Sequence, residues 1–191
     1  MPRPVHRRPE SMLHSPLSLN TLFDFQVEIA FRENQHIAYV GLDPGESGGA
    51  WIWVSSLGHI NCRFSKYTER EICTALFALA SNTRCTFCLE KVRASPQMGV
   101  TSAFTFGWNY GYLRGAVLAS TGSLVEVLPQ AWQKALNIPP RKKTETKGQF
   151  KKRLQQFAKE LFPNIQQHIS SETADALLIC YYLSLQQQKG A

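Results

Sequence analysis

From residue 36 onward, the hydrophobic and polar positions of the chain predict an α/β fold. Residues 37–42 and 50–54 are short apolar runs, rich in β-branched and aromatic side chains, as strands are. Three such runs precede an alternation of helical and strand patterns, which favours a mixed sheet between helix layers. The predicted strands are 37–42, 49–54, 59–65, 84–90 and 123–128, and the predicted helices are 68–80, 101–119, 129–137, 144–162 and 170–187, with a loop at 138–143.

Three acidic residues end or interrupt these apolar patterns. Asp43 follows the first run, Glu90 closes the run 85–89, and Asp175 lies among the alanines and leucines of the last helix. A carboxylate beside a buried strand end is costly unless a positive group shares it. Mg²⁺ prefers oxygen ligands, and paired sites hold two ions roughly 4 Å apart. We therefore expect a divalent metal site, although each acid taken singly also fits a surface turn or a helix cap.

A fourth acid, Glu172, lies three residues before Asp175. If Ser170 or Ser171 caps the last helix, both carboxylates can project from one helix face. An acid in the first turn of a helix is also favoured by the helix dipole, so capping is the competing explanation for Glu172.

The acidic motifs together resemble those of a known nuclease family. VGLDPG (40–45), LEKV (89–92) and ETADAL (172–177) are similar, in this order, to the acidic signature of RuvC-type Holliday junction resolvases. PQMGVTSAFTFG (96–107) resembles the phage and plastid branch, and LPQAW (128–132) extends the likeness, which covers about residues 36–187. Taken together, these motifs are specific for the family, whereas any one of them alone is weak evidence for it.

This resemblance implies a fold, an activity and a set of ligands. The fold is an RNase H-like α/β domain at 36–187, with a mixed five-stranded sheet flanked by helices on both faces, after a basic arm at 1–35. The activity is that of a crossover junction endodeoxyribonuclease that leaves 5′-phosphate and 3′-hydroxyl ends. Two Mg²⁺ or Mn²⁺ ions would activate water and stabilise the leaving oxygen. The implied ligands are Asp43, Glu90, Glu172 and Asp175, and the implied phosphate-contacting lysine is Lys147 or Lys151.

The charge of the chain suits a polyanionic partner. Lysine and arginine number 21 against 14 acidic residues, for a net charge of +7. Eight of these basic residues lie within 141–159, where Glu145 is the one acid. Such a stripe can neutralise phosphates whatever the DNA sequence, although a solvated surface is the plainer explanation. The predicted DNA-binding residues of the stripe are Arg141, Lys142, Lys143, Lys147, Lys151 and Lys152.

A second predicted DNA contact is the irregular segment that follows Glu90. It contains Arg93, Gln97 and Met98. Gln97 can hydrogen-bond a base edge and Met98 can wedge between stacked bases, near the centre of a branched DNA. Packing within the loop explains Met98 equally well.

The helix predicted at 101–119 carries Gly107, Gly111 and Gly115 at every fourth position, beside large aromatic residues. Each glycine lowers helix propensity by about 1 kcal/mol, so another backbone should pack closely against them. That backbone belongs either to the sheet or to a second copy of the chain. The resemblance favours a homodimer, whose two-fold symmetry would relate two active sites across a four-way junction.

Other functions remain possible from the same residues. A transposase-type RNase H-like phosphodiesterase would use the same acids, and a catalytically silent DNA-binding module would need none of them. The GESGG turn at 45–49 matches G-x-S-x-G, but a strand pattern follows it where a hydrolase elbow requires a helix. Proteins of the actin and sugar-kinase superfamily need two such domains, whereas the 191 residues of this chain supply one.

The remaining features concern location and the N-terminal region. No apolar stretch approaches the roughly 20 residues that span a bilayer, so we expect no membrane contact and a soluble protein of the cytoplasm or nucleoid. Organelle targeting by the Arg-bearing leader is the lesser alternative. We expect a mobile arm at 1–20 and an added edge strand at 23–31. The five cysteines should be reduced thiols, with Cys85 and Cys88 buried in a strand rather than half of a zinc site.

Overall fold

Six strands and five α-helices make up the described part of the chain. The computed structural model describes residues 16–17, 36–45, 47–54, 58–91 and 98–189. The strands are β1 (Pro16–Leu17), β2 (Ile37–Asp43), β3 (Gly49–Val54), β4 (Gly58–Arg63), β5 (Arg84–Glu90) and β6 (Ser123–Val127). The helices are α1 (Glu69–Asn82), α2 (Val100–Ala119), α3 (Pro129–Ala135), α4 (Lys147–Leu161) and α5 (Ala174–Lys189), with 3-10 helices at Phe64–Lys66 and Pro163–His168.

The strands form one mixed sheet in the order β1-β4-β3-β2-β5-β6. β2, β3 and β4 are an antiparallel meander, whereas β5 pairs parallel with β2 and β6 pairs parallel with β5. The five-stranded sheet predicted from the sequence is confirmed. The sixth strand, β1, pairs parallel with β4 over two residues only.

Helices cover both faces of the sheet, as predicted. Because side chains alternate along a strand, β2 sends Ala38, Val40 and Leu42 into a core with α1 and α2. The opposite face packs against α3, α4 and α5, and its core includes Trp51, Trp53 and Trp132. Residues at odd positions of β2 and at even positions of β5 therefore belong to the face that α5 covers.

Helix α5 lies so close to β2 that only a glycine fits between them. A Cβ built on Gly41 would stand 2.0 Å from the carbonyl oxygen of Ala176 and 2.5 Å from the backbone nitrogen of Cys180. The contact fixes the start of α5 against the end of β2. It therefore positions Asp175 relative to Asp43.

Two helices begin three or four residues later than the pattern predicts. α4 begins at Lys147 because the side chain of Thr146 accepts a hydrogen bond from the backbone of Gln149, whose own side chain bonds back to Thr146. α5 begins at Ala174 rather than 170, because the side chain of Ser170 bonds to Thr173 across a turn. Glu172 thus precedes the helix, and the expectation that it shares a helix face with Asp175 is wrong.

The structure also bears on the N-terminal region, the cysteines and the expectation of no membrane span. Pro16 and Leu17, expected in a mobile arm, form β1, and the edge strand expected at 23–31 falls outside the described residues. The cysteines are all unpaired, and Cys85 and Cys88 are buried on β5. None of the helices in the described ranges has the length and apolar character needed to cross a bilayer.

Candidate active site

Asp43 is the last residue of β2 and is buried, with 4% of its surface exposed. The backbone N–H of Gly45 donates to its Oδ1 atom at 2.9 Å. The turn beyond is tight, since a Cβ on Gly48 would stand 2.1 Å from the carbonyl oxygen of Asp43. Burial raises the pKa of Asp43, while the nearby Lys151 ammonium and the Gly45 hydrogen bond oppose that shift.

Glu90 ends the neighbouring parallel strand, β5. Leu42 pairs with Leu89, so Asp43 and Glu90 leave the sheet side by side at its carboxyl edge. Burial, followed by the negative charge of Asp43, raises the pKa of Glu90 to about 8. The indole N–H of Trp132 donates to Oε1 of Glu90 at 2.8 Å and partly offsets the shift.

Asp175, the second residue of α5, is the third acid of the cluster. It is 9% exposed, and its Oδ1 atom has no hydrogen-bond partner among the described residues. Burial and then the charge of Asp43 raise the pKa of Asp175 to about 7, against the opposing effect of Lys151.

These three carboxylates act on one another electrostatically. Asp43 raises the pKa of both other acids, and Asp175 also raises the pKa of Glu90. Within the described ranges, however, no three Asp, Glu, His or Cys side chains are close enough to hold a metal ion as they stand. The structure therefore brings the three predicted acids, of which Asp43 and Asp175 are buried, into one cluster without assembling a ready ligand cage.

The carboxylate of Glu172 is paired with Arg63 and Ser171. Its carboxylate approaches Nε of Arg63 at 3.6 Å and accepts a hydrogen bond from Ser171 at 3.5 Å. The pKa of Glu172 is lowered, first by a hydrogen bond from Ser170 and then by its own backbone and by Arg63. Its electrostatic partners are thus different from those of the other three predicted ligands.

Lys151 supplies positive charge to the cluster. It lies on α4, half-buried, with its Nζ atom 3.2 Å from Oγ of Ser47 in the turn after Asp43. Its positive charge favours the ionised form of all three clustered acids and so opposes the rise in their pKa values. Lys147 begins α4 one turn earlier and is exposed.

Two site residues were not identified from the sequence. Trp132 enters the sequence analysis only as part of LPQAW, and nothing in that motif predicts its buried position or its hydrogen bond to Glu90. The sequence indicates a role for Ser47 only through the G-x-S-x-G match, which does not predict its contact with Lys151. Its place beside the predicted acid Asp43 was the available signal.

The basic side chains of the stripe at 141–159 fall into two groups: some pair with other groups of the protein, and others are exposed to solvent. Arg153 is committed to structure, since it pairs with Glu145 at 2.9 Å and donates to the carbonyl oxygens of Pro139 and Pro140. Arg141 donates to the backbone of Glu145 at 3.0 Å and is exposed. Exposed basic side chains also occur at Lys142, Lys143, Lys147 and Lys152.

The segment after Glu90 is only partly described. Arg93 and Gln97 fall outside the described residues, and Met98 is half-buried just before α2. Their predicted contacts with DNA stay predictions.

The glycines of α2 do not pack against the sheet. Among the described residues, a Cβ at Gly107, Gly111 or Gly115 would meet nothing within 4 Å. Phe104 and Trp108, on the same helix, are 68% and 55% exposed. Sheet packing, one of the two expected explanations for these glycines, is therefore wrong.

No protein-family model matches the sequence, and no curated protein matches it either. Among solved structures, that of T. thermophilus RuvC in complex with a Holliday junction substrate aligns with a TM-score of 0.54 at 16% identity, covering 82% of this chain and 97% of that one. Another structure of Thermus thermophilus RuvC aligns with a TM-score of 0.48 at the same identity and coverage. The first alignment confirms the RNase H-like prediction, and the chain has the fold of RuvC.

Proposed function

We propose that the chain is a metal-dependent, structure-selective DNA endonuclease that resolves four-way junctions by paired nicks. The observation that carries this proposal is the cluster of Asp43, Glu90 and Asp175 at the carboxyl edge of the sheet, where burial raises the pKa of all three acids and the charge of Asp43 raises it further for the other two. Such groups in a structure are candidates for a functional site. A solved structure of similar fold is of RuvC in complex with a Holliday junction substrate, which supports branched DNA as the substrate here.

The residues of the cluster fit a hard divalent cation. They offer carboxylate oxygens, which Mg²⁺ and Mn²⁺ prefer, and the buried Oδ1 of Asp175 has no hydrogen-bond partner among the described residues, although a buried oxygen needs one. Asp43, Glu90 and Asp175 would hold the ions, two in each active site. Glu172 would join them only after leaving Arg63. Bound ions would lower the pKa of water and offset the charge that develops on the phosphodiester, leaving 5′-phosphate and 3′-hydroxyl ends.

Lys151 is the better candidate of the two lysines for the reacting phosphate. Its ammonium already acts on all three carboxylates and is held by Ser47, whereas Lys147 is exposed at the start of α4. A lysine held in this way would stabilise the extra negative charge of the phosphoryl transition state. Lys147 would then contact the DNA backbone.

The DNA would lie across the start of α4 and the loop before it. Arg141, Lys142, Lys143, Lys147 and Lys152 are exposed there, and the clamp of Arg153 on Glu145 holds the loop against the helix. Contacts of this kind bind phosphates without reading the base sequence. Arg93, Gln97 and Met98 would contact the DNA near the branch point, where they would set any preference for sequence or structure.

The exposed face of α2 would join two copies of the chain. Gly107, Gly111 and Gly115 leave room for a close backbone, and Phe104 and Trp108 supply apolar surface beside them. A two-fold dimer would place two active sites in the symmetric relation that paired nicks require.

The test is cleavage of a synthetic mobile four-way junction, compared with linear duplex of the same sequence, with and without Mg²⁺. We expect Mg²⁺-dependent, symmetric nicks in the junction and little cutting of the duplex. D43N should abolish cleavage while junction binding persists. E126Q is the matched control, because Glu126 bonds to Tyr110 and Arg114 outside the acidic cluster.

Two results would contradict this function. Equal cutting of duplex and junction would favour a transposase-type phosphodiesterase. Binding of the junction without cleavage in Mg²⁺ or Mn²⁺ would indicate a silent DNA-binding module.

A further inference from the structure

The hydrogen bond from Trp132 to Glu90 joins a core residue to the acidic cluster. The indole Nε1 atom of Trp132 lies 2.8 Å from Oε1 of Glu90, across 42 residues of sequence. The bond is a charge-assisted one whenever Glu90 is ionised, and such bonds are stronger than neutral ones. It therefore restrains a carboxylate that repulsion from Asp43 and Asp175 would otherwise displace.

Trp132 is itself held firmly in place. Its side chain is 1% exposed and belongs to the core beneath α5. Pro129 occupies the start of α3, where its fixed φ suits the first helical turn, and Leu136 donates its backbone N–H to the carbonyl of Trp132 at 3.0 Å. A donor fixed by packing on every side can set the orientation of the group that it bonds.

We propose that Trp132 is a positioning residue for the metal site: its indole N–H holds Oε1 of Glu90 and would so leave Oε2 available to a cation. The inference deepens the proposed function and rests on it. With 1% of its surface exposed, Trp132 would act through its bond to Glu90 rather than as a ligand of the cation.

The size of the effect follows from partners of this kind in known metal sites. Loss of a residue that orients a metal ligand typically weakens metal affinity or activity by about 10- to 100-fold. Without the indole N–H, Glu90 would sample orientations that point neither oxygen at the cation. The affinity for metal, measured without DNA, would fall with the activity.

The experiment measures Mn²⁺ binding to the full-length protein by electron paramagnetic resonance, in the absence of DNA. W132F should weaken binding by about 10- to 100-fold. W53F is the matched control: Trp53 is 6% exposed in the same core, and its Nε1 has no acceptor among the described residues. W53F removes a similar volume without a bond to the site, so Mn²⁺ binding should be unchanged.

The possible outcomes separate this inference from the function on which it rests. If the unaltered protein and W132F bind Mn²⁺ equally well, Trp132 has no positioning role. If the unaltered protein does not bind Mn²⁺ at all, the proposed function itself fails. Should W132F not fold, benzothienylalanine at position 132 keeps the shape of the indole but replaces its N–H with sulfur. That variant should show the same weakened binding, and binding at full strength would overturn the inference.

Discussion

Nζ of Lys151 and Oγ of Ser47 lie 3.2 Å apart, although 104 residues separate them in the sequence. The contact brings α4 to the turn that follows Asp43, and it gives the acidic cluster its cation. A lysine in this place can act on a substrate phosphate only if it stays there, and Ser47 supplies the hydrogen bond that holds it.

We expect Lys147 and Lys151, both on α4, to have different roles. K151M should lower the single-turnover cleavage rate by about 10²- to 10³-fold, as loss of a transition-state donor does. K147M should leave that rate nearly unchanged but weaken junction binding and reduce the slope of log affinity against log salt by about 1. Cleavage rates at saturating enzyme and binding at several salt concentrations check both. The reverse pattern would assign the catalytic role to Lys147.

The stability of the metal-free protein should fall as the pH rises. Burial raises the pKa of Glu90 to about 8 and that of Asp175 to about 7, from ordinary values of 4.5 and 3.8. Between those limits the folded state binds more protons than the unfolded chain. The stability these groups contribute is therefore complete below the ordinary values and is lost as the pH rises through about 7 and 8. Thermal unfolding from about pH 5 to about pH 9, with metal chelated, measures the slope.

Matched variants isolate the source of that slope. The triple variant D43N/E90Q/D175N should lose most of it, whereas E126Q should keep it. Millimolar Mg²⁺ should also flatten it in the unaltered protein, because a bound cation stabilises the ionised carboxylates. A slope that survives in the triple variant would mean that other groups cause the pH dependence.

Alanine in place of the α2 glycines should stabilise the monomer and weaken the dimer. A Cβ at Gly111 meets nothing within 4 Å in the part of the chain that the structure describes, so G111A should raise the free energy of unfolding by about 1 kcal/mol. If a second helix packs there, the added methyl group should raise the dimer dissociation constant. Urea unfolding at low concentration and sedimentation velocity measure the two effects.

The control for that prediction is another open helical glycine. A Cβ at Gly148 of α4 also meets no described residue within 4 Å, so G148A should leave association unchanged. A G111A protein that associates as tightly as the unaltered chain would exclude α2 as the dimer contact.

The same substitution at Gly41 should have the opposite effect on stability. A Cβ there would stand 2.0 Å from the carbonyl of Ala176, which is backbone and cannot rotate away. G41A should therefore lower the free energy of unfolding by about 3 kcal/mol, as overpacking does. It should also weaken cleavage under conditions where the protein is folded, because α5 carries Asp175. Urea unfolding of the unaltered protein, G41A and G111A measures these differences in stability. Equal midpoints for the unaltered protein and G41A would contradict the close contact.

Much of the fold and part of the site could be predicted from local patterns. The strand and helix patterns predicted every strand from β2 to β6, because alternation and apolar runs depend on neighbours in sequence. Asp43 and Glu90 were identified because each ends a buried run, and parallel pairing of β2 with β5 then sets them side by side. The predicted start of α5 at residue 170 is wrong, because Ser170 bonds to Thr173 across a turn and the helix begins about one turn later, at Ala174.

What the sequence determined by itself is the order of the elements and which acids lie at their ends. Only the tertiary structure decided that Trp132 bonds Glu90, that Lys151 reaches Ser47, that Glu172 pairs with Arg63 and that the α2 glycines face outward. The physical reason is that each of these depends on the distance between side chains from different segments. Packing of α3, α4 and α5 on the sheet sets those distances, and no periodicity within one segment carries that information.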